Sequence, residues 1–328
     1  MRKEIERKYR KSFVRIKIME DTQLTLIVPC YNEEEALPIF YKELKQVLNQ
    51  MSYTYEILLI NDGSTDSTLS IFREIAKKDQ TVKYISFSRN FGKEAAMYVG
   101  FCNAKGNYAA VMDADMQDPP NLLPKMIEIL EEGKYDSVAT RRFTRQGEPP
   151  IRSWFARKFY KLINQISDIA IEDGARDFRL MKHDMVDAIV EMSEYDRFSK
   201  GIFGWVGFST CWLPFENQER VCGTTKWSFW KLTKYAINGI INFSQAPLYL
   251  STCLGIGLSA ISIMCILFTL CNFIQTNFII DTIIFVGGLQ LLCIGVLGQY
   301  IAKINTEVKA RPHYIIKESN IENLKKIN

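Results

Sequence analysis

The chain has 328 residues, carries a formal net charge of +4 at pH 7 and is 47% hydrophobic. This length suits one large domain with an appendage, or two domains, and the mild charge does not favour nucleic acid as a partner. Only two histidines are present, which nearly excludes a zinc site built from histidine. The eight cysteines form no C-x-x-C pair, so we expect reduced thiols and a catalytic part in the cytosol.

Residues 1–22 are rich in Lys and Arg and contain no apolar run. This pattern predicts a basic N-terminal arm rather than a signal peptide. The arm is either solvated or in contact with anionic lipid headgroups.

From residue 23 onward, short apolar runs alternate with stretches that have helical spacing. Continuous apolar strands alternating with amphipathic helices predict an α/β domain with a mostly parallel sheet, covered on both faces. The predicted strands are "LTLIVP", "EILLI", "VKYISF", "YAAVMD" and "YDSVAT".

Polar clusters follow four of these strands, at the sheet edge where ligands bind in such folds. No G-x-G-x-x-G and no P-loop sequence is present, so neither phosphate-binding motif is supported. The clusters are "CYNEE", "NDGSTD", "SRNFGK" and "DADMQD".

Three aspartates and a glutamine lie in the last of these clusters. Asp113 and Asp115 flank a single residue, and in an extended segment their side chains would point the same way. Two neighbouring carboxylates are costly unless a cation bridges them, and hard oxygen ligands suit Mg²⁺ or Mn²⁺. Gln117 could add a neutral oxygen. An isolated D-x-D is also common in surface turns, but its place after an apolar strand favours a metal site.

The second cluster offers a further carboxylate. Asp66 is placed to cap the helix that follows, whereas Asp62, at the strand end, is expected to be freer to bind a ligand such as a pyrimidine N–H or a ribose hydroxyl.

The C-terminal half changes character. After a basic loop that begins near Arg141, the stretches "DGARDFRLM" and "GFSTCWLPF" predict further strands. Residues 226–246 are amphipathic and predict a helix at a membrane surface. Residues 248–271 and 282–302 contain no charge, and basic residues flank both outer ends, so the pattern predicts a two-span hairpin with both ends cytoplasmic. A buried soluble helical hairpin is the alternative.

Together, the ordered stretches "VPCYNEE", "NDGSTD", "SRNFGKEAA", "DADMQDPP" and "DFRLM" resemble the GT-A fold glycosyltransferases of family 2. The segments "ERVCGTTKWSFWKL" and "GLQLLCIGVLGQYIAKINTEVKARPHYII" narrow the resemblance to the polyprenyl-phosphate (bactoprenol) glucosyltransferases, relatives of dolichol-phosphate mannose synthase. We therefore expect a catalytic domain at 23–225, an interfacial segment at 226–246, a transmembrane hairpin at 247–302 and a basic cytoplasmic tail at 303–328.

The resemblance implies roles for individual residues. It implies catalytic roles for Asp115 and for Asp177, the latter matching a proposed catalytic base. Because a lipid phosphate acceptor is largely dianionic at neutral pH, we expect Asp177 to orient neighbouring groups, for instance by holding a basic side chain, more than to remove a proton. The resemblance further implies nucleotide-sugar binding by Pro29, Tyr31, Glu33, Asp62, Asp113 and Ala114, metal binding by Asp113, Asp115 and Gln117, and phosphate or lipid binding by Arg141, Arg220 and Lys226.

The implied activity is inverting transfer of a hexose, glucose or an N-acetylhexosamine, from a UDP-sugar to undecaprenyl phosphate at the cytoplasmic membrane face. Implied partners are Mg²⁺ or Mn²⁺, the lipid, a flippase, a downstream glycosyltransferase and further copies of the chain. Two alternatives stay open: a processive polysaccharide synthase, against which the missing Q-x-x-R-W motif counts, and a catalytically silent nucleotide-binding scaffold.

Overall fold

The structure is a computed structural model that describes residues 22–142, 172, 174–215, 246–270, 277–322 and 324–325. Outside these ranges lie all but the last residue of the predicted N-terminal arm, all but the last residue of the predicted interfacial segment, and the predicted phosphate-binding residues Arg220 and Lys226.

The first half of the domain is a repeated strand–helix unit, as the sequence predicts. β1 pairs in parallel with β2 and with β4, and β2 pairs in parallel with β3. Parallel neighbours need a crossover, and a helix supplies each one. The elements are β1 (Leu24–Cys30), α1 (Ala36–Leu48), β2 (Tyr55–Asn61), α2 (Thr68–Lys78), β3 (Val82–Phe87), α3 (Lys93–Asn103) and β4 (Tyr108–Val111).

The second half converts this parallel sheet into a mixed one. β6 lies between β4 and β5 and runs antiparallel to both, while β7 pairs in parallel with β5. Within the described ranges, the sheet has eight strands in the order β7-β5-β6-β4-β1-β2-β3-β8. The further elements are α4 (Leu123–Glu131), β5 (Ser137–Arg142), β6 (Ala175–Lys182), α5 (His183–Glu191), α6 (Ser199–Trp205), β7 (Thr210–Phe215), α7 (Ala246–Leu270), α8 (Asn277–Val308) and β8 (Ile316–Ser319).

Apolar side chains cover both faces of the sheet. In β1, Leu26 joins the core cluster that contains Phe40 of α1, whereas its neighbour Ile27 joins the opposite cluster around α3. This alternation explains why β1 is apolar at nearly every position. On the α3 side the packing is close, because a Cβ on Gly100 would lie 2.3 Å from Ile27 Cγ2.

The C-terminal helices confirm only part of the predicted hairpin. Among the described residues, one helical stretch, Phe285–Val308, is long and apolar enough to cross a membrane by length and composition. The apolar stretch Pro247–Leu258 in α7 is shorter, so a two-span hairpin is not confirmed. α7 and α8 are in contact, and the Cys293 thiol lies 3.7 Å from the carbonyl oxygen of Ser251.

The predicted boundary at residue 302 and the predicted tail differ from the structure. α8 continues to Val308, since Lys303 and Glu307 are good helix formers and are held by the catalytic domain. Beyond the helix, β8 joins the edge of the catalytic sheet beside β3. Within the predicted tail, Ile316–Ser319 are therefore part of the catalytic sheet, which the charged composition of the segment did not indicate.

Candidate active site

A half-buried lysine joins two of the predicted site aspartates. Lys93 is the first residue of α3, and its Nζ lies 2.7 Å from an Asp113 carboxylate oxygen and 2.5 Å from Asp177 Oδ2. Asp113 follows β4 and Asp177 lies in β6, so the neighbouring antiparallel pair brings these carboxylates together. We call Lys93, Asp113 and Asp177 the lysine cluster.

The electrostatics of this cluster are dominated by its own charges. Burial lowers the pKa of the Lys93 ammonium, but the carboxylates of Asp113 and Asp177 outweigh this and hold that pKa above its usual value. Burial raises the pKa of Asp177, but Lys93 and Lys200 outweigh it, so the net shift is downward. Lys93 and Asp177 are therefore both charged at neutral pH. The expectation that Asp177 holds a basic side chain is met by its contact with Lys93.

Asp115 and Gln117 lie in a turn and not in an extended segment. β4 ends at Val111, and Met116 has a left-handed φ of 63°. Asp115 is 9% exposed, and its Oδ1 accepts the N–H of Gln117 at 3.1 Å. The expectation of an extended segment at Asp113 and Asp115 is therefore wrong, because this side-chain bond closes a tight turn shortly after β4.

A second buried ion pair supports that turn. Arg176 Nε donates to Asp118 Oδ1 at 3.0 Å, and Arg176 Nη2 donates to the Gln117 side-chain oxygen at 3.3 Å. Burial raises the pKa of Asp118 to about 6, against the opposing effect of Arg176. Within the described residues, Asp118 Oδ2 is buried without a hydrogen-bond partner. Arg176, the residue before Asp177, thus stabilises the D-x-D turn through its contacts with Gln117 and Asp118.

Asp62 is engaged by the backbone of the neighbouring loop. It is 3% exposed, and its Oδ1 accepts the N–H groups of Phe91 (2.7 Å) and Gly92 (3.1 Å). Burial raises its pKa to about 6, and the two N–H bonds oppose this shift. The expectation that Asp62 is free for a ligand is not met, because its carboxylate ties the end of β2 to the loop between β3 and α3. Asp62 thus fixes the position of this loop at the edge of the site.

A cavity of about 360 Å³ opens at the carboxyl ends of β1, β2 and β3. We call it the edge cavity. Of the predicted nucleotide-binding residues, Tyr31 lines it, while Pro29 pairs with Ile60 inside the sheet and the Glu33 N–H donates to Thr68 Oγ1 at 2.9 Å. The remaining lining is Asn61, Gly63, Ser64, Thr65, Leu69, Ser86, Phe87, Ser88, Arg89, Asn90 and Lys317.

Two other predicted site residues make contacts inside the protein. Ala114 is 2% exposed and packs in the apolar core, so only its backbone could meet a nucleotide. Arg141 lies near the end of β5, and its guanidinium forms an ion pair with Glu172. Glu172 itself lines a second cavity of about 240 Å³, which Arg176, Arg179, Lys200 and Trp212 also line.

The oxygen donors of the D-x-D turn fit a hard divalent cation by chemistry. Carboxylates from Asp113 and Asp115 and the carbonyl of Gln117 are the ligand types that Mg²⁺ and Mn²⁺ take. In the part of the chain that the structure describes, no three histidine, cysteine or carboxylate side chains converge on a common metal position.

Comparison with known proteins identifies the family. The family model described as "Glycosyl transferase family 2" matches residues 25–190. A putative glycosyltransferase, CsbB, from Bacillus subtilis (strain 168) is 42% identical over 312 residues, covering 93% of this chain and 94% of the relative. The chain belongs to glycosyl transferase family 2. It is also 40% identical over 305 residues to the SfII prophage-derived bactoprenol glucosyl transferase of Shigella flexneri, covering 91% of this chain and 98% of that one.

Among solved structures, glucosyl-3-phosphoglycerate synthase from Mycobacterium tuberculosis in complex with Mn²⁺, UDP-glucose and phosphoglyceric acid superimposes with a TM-score of 0.45. The sequences are 14% identical, and the match covers 67% of this chain and 78% of that chain.

Sequence reasoning missed several residues of this family 2 site. Lys93 had a usable signal: a lysine in the first turn of a helix opposes the helix dipole, so it calls for carboxylate partners nearby. Arg176 stands next to Asp177, and its partner Asp118 lies in the quoted "DADMQD" stretch. Lys317 carried no signal, because only the tertiary pairing of β8 brings it to the edge cavity.

Proposed function

We propose that this family 2 glycosyltransferase moves one hexose from a UDP-sugar to a polyprenyl phosphate, undecaprenyl phosphate, with inversion at the anomeric carbon. The observation that carries this proposal is the 40% identity to a bactoprenol glucosyl transferase over 91% of the chain. That match extends past the catalytic domain into the apolar C-terminal segment. A relative that matched only the catalytic domain would support sugar transfer, but it would not indicate a lipid acceptor.

The charges of the site suit a reaction between two anions. A diphosphate donor and a phosphate acceptor repel each other, and fixed cations reduce that repulsion most strongly where water is excluded. Lys93, Arg176 and Lys200 lie around the reacting region, and Asp177 interacts with all three. Asp177 thus holds Lys93 by direct contact, and its charge also attracts Arg176 and Lys200. The acceptor phosphate oxygen attacks the anomeric carbon directly and UDP departs from the opposite side, so no enzyme nucleophile is required.

Asp113, Asp115 and Gln117 would hold a divalent cation. When bound, this cation would neutralise charge on the departing diphosphate. Its binding would also compete with Lys93 for the Asp113 carboxylate, since both cations need the same oxygens. Lys93 then keeps Asp177 as a partner.

The location we propose is the cytoplasmic face of the membrane. The Phe285–Val308 stretch supplies a membrane-spanning helix, and Lys309 and Arg311 follow it on the side of the catalytic domain. We propose that α7 completes a hairpin, that both termini are cytoplasmic, and that residues 226–246 lie at the lipid surface. We propose that the lipid-linked sugar passes to a flippase and a downstream glycosyltransferase, and that the chain self-associates as a homo-oligomer.

A nucleotide-sugar panel with purified full-length protein tests the proposed function. UDP-glucose and UDP-N-acetylglucosamine are each incubated with undecaprenyl phosphate, with Mg²⁺, Mn²⁺ or EDTA, and the lipid products are resolved by mass. One sugar per lipid with either donor supports the proposal. Long polymer would indicate the processive synthase, and UDP binding without turnover in any metal would indicate the silent scaffold.

A further inference from the structure

The segment that follows the membrane helix returns to the catalytic domain and completes its sheet. β8 pairs antiparallel with β3, with Ile85 opposite Ser319 and Ser86 opposite Glu318. The Ser88 N–H extends this pairing by donating to the Ile315 carbonyl at 2.9 Å. The far edge of the catalytic sheet is therefore built from a part of the chain that lies beyond α8.

Lys317 occupies an irregular position in this pairing. Ser86 is opposite Glu318 but Phe87 is opposite Ile316, so Lys317 is the extra residue of a β-bulge. Bulges of this kind redirect a side chain and are common next to active sites. Here the bulge leaves Lys317 among the residues that line the edge cavity.

The neighbours of Lys317 fix its position. Arg73 holds Glu318 through two contacts of 2.8 and 2.5 Å, and the Tyr84 hydroxyl donates to the same carboxylate at 2.7 Å. On the other side of the bulge, the Tyr314 ring stacks on Phe87 with centroids 5.1 Å apart. The side chain of Lys317 is exposed, but its backbone is held between these two anchors, so it loses less freedom on binding a ligand than a lysine in a loose tail.

The sheet order decides which part of a nucleotide would meet Lys317. The lysine cluster and the D-x-D turn follow β4, whereas the edge cavity lies across β1, β2 and β3, with β8 on its outer side. A donor whose diphosphate lies at Asp113 and Asp115 therefore extends its nucleoside into the edge cavity. Lys317 and Arg89 are the cations that line this cavity among the described residues. Arg89 lies over the Phe91 ring at 4.0 Å and donates to the Asn90 carbonyl, so it is already engaged.

We propose that Lys317 binds the base of the donor nucleotide by donating a hydrogen bond to a pyrimidine carbonyl oxygen. This inference rests on the proposed function for the identity of the nucleotide. It makes the segment beyond the membrane helix a part of the donor site. α8 also contacts the catalytic domain through Lys303, 3.3 Å from Asp196, and Glu307, which accepts the Tyr195 N–H at 2.8 Å. The anchor and the donor site are thus joined through one continuous stretch of chain.

The test measures nucleotide binding by full-length protein in detergent, using calorimetry with UDP and, separately, inorganic pyrophosphate. The variant is Lys317→Met, and the matched control is Lys83→Met, a lysine of β3 that does not line the edge cavity. A hydrogen bond from a charged donor predicts that Lys317→Met weakens UDP binding by about tenfold. Pyrophosphate binding should stay within about twofold of the wild-type value, as should both ligands with Lys83→Met.

Three results would overturn the inference. Unchanged UDP affinity in Lys317→Met would show that the lysine does not contact the nucleotide. Equal losses of affinity for UDP and pyrophosphate would show that it contacts the phosphates and not the base. A wild-type protein that binds pyrophosphate but no UDP refutes both this inference and the proposed donor. If the wild type binds UDP and transfers no sugar to lipid, the proposed function fails while the Lys317 contact is still decided by the binding measurements.

Discussion

Removing the ammonium of Lys93 should be far more damaging than removing an ordinary surface lysine. Lys93→Met leaves Asp113 and Asp177 as neighbouring carboxylates without the cation that contacts both at 2.7 and 2.5 Å. Their side chains are 24% and 22% exposed, and that of Lys93 is 33% exposed. Breaking a buried ion pair costs about 3–5 kcal/mol and an exposed one about 0.2–1 kcal/mol. For this partly exposed triad we expect unfolding free energy to fall by about 2–3 kcal/mol.

The assay is urea unfolding of the detergent-solubilised protein at pH 7.5, followed by tryptophan fluorescence, with EDTA present so that no divalent cation replaces the ammonium. The control is Lys134→Met. Lys134 pairs with Glu132 at 3.1 Å, but the two side chains are 71% and 51% exposed, so we expect a loss below about 0.5 kcal/mol. Equal losses for the two variants would show that the lysine cluster does not hold the site together.

Three further predictions address the site. Asp177→Asn should cost much less transfer activity than Asp115→Asn, because the acceptor phosphate needs no deprotonation; equal losses in two folded variants would contradict this. Gly63→Ala should weaken UDP binding at least about tenfold, since Gly63 has a φ of 64° and its added Cβ would lie 2.2 Å from the Arg89 backbone; wild-type affinity would show that the loop adjusts freely. The folded-state pKa of Asp62 is raised to about 6 from 3.8, so protonation stabilises the fold, and that stabilisation is lost as pH rises through about 6. Between pH 8 and pH 5 the unfolding free energy of the wild type, relative to Asp62→Asn, should therefore rise by about 1–1.5 kcal/mol in urea titrations, and a constant difference would show that burial does not raise this pKa.

The parallel half of the sheet was predictable because its signal is local. The strands of that half are mostly apolar, the crossover helices α1 and α2 are amphipathic, and the polar clusters follow the strand ends, so the position of Asp113 at the carboxyl edge needed no tertiary information. Asp177 was found through the resemblance, and its contact with a basic side chain through the chemistry of a phosphate acceptor.

What sequence reasoning missed depends on tertiary contacts. The turn at Asp115 replaces an extended segment because a side-chain oxygen captures a backbone N–H two residues later. Asp62 became a backbone anchor because the loop between β3 and α3 folds over it. β8 was hidden by its charged composition, since an edge strand beside β3 needs only one partly buried face and carries Lys317 and Glu318 without cost.

The central claim is that a lipid phosphate itself attacks the sugar at this site, and the anomeric configuration of the product tests it most directly. The product formed from UDP-α-glucose and undecaprenyl phosphate is purified, and the coupling of its anomeric proton is measured by NMR. A single β-linked glucose on the lipid phosphate, absent with Asp115→Asn, is the result we expect. An α-linked product would show that the configuration is retained, and would contradict direct attack by the acceptor.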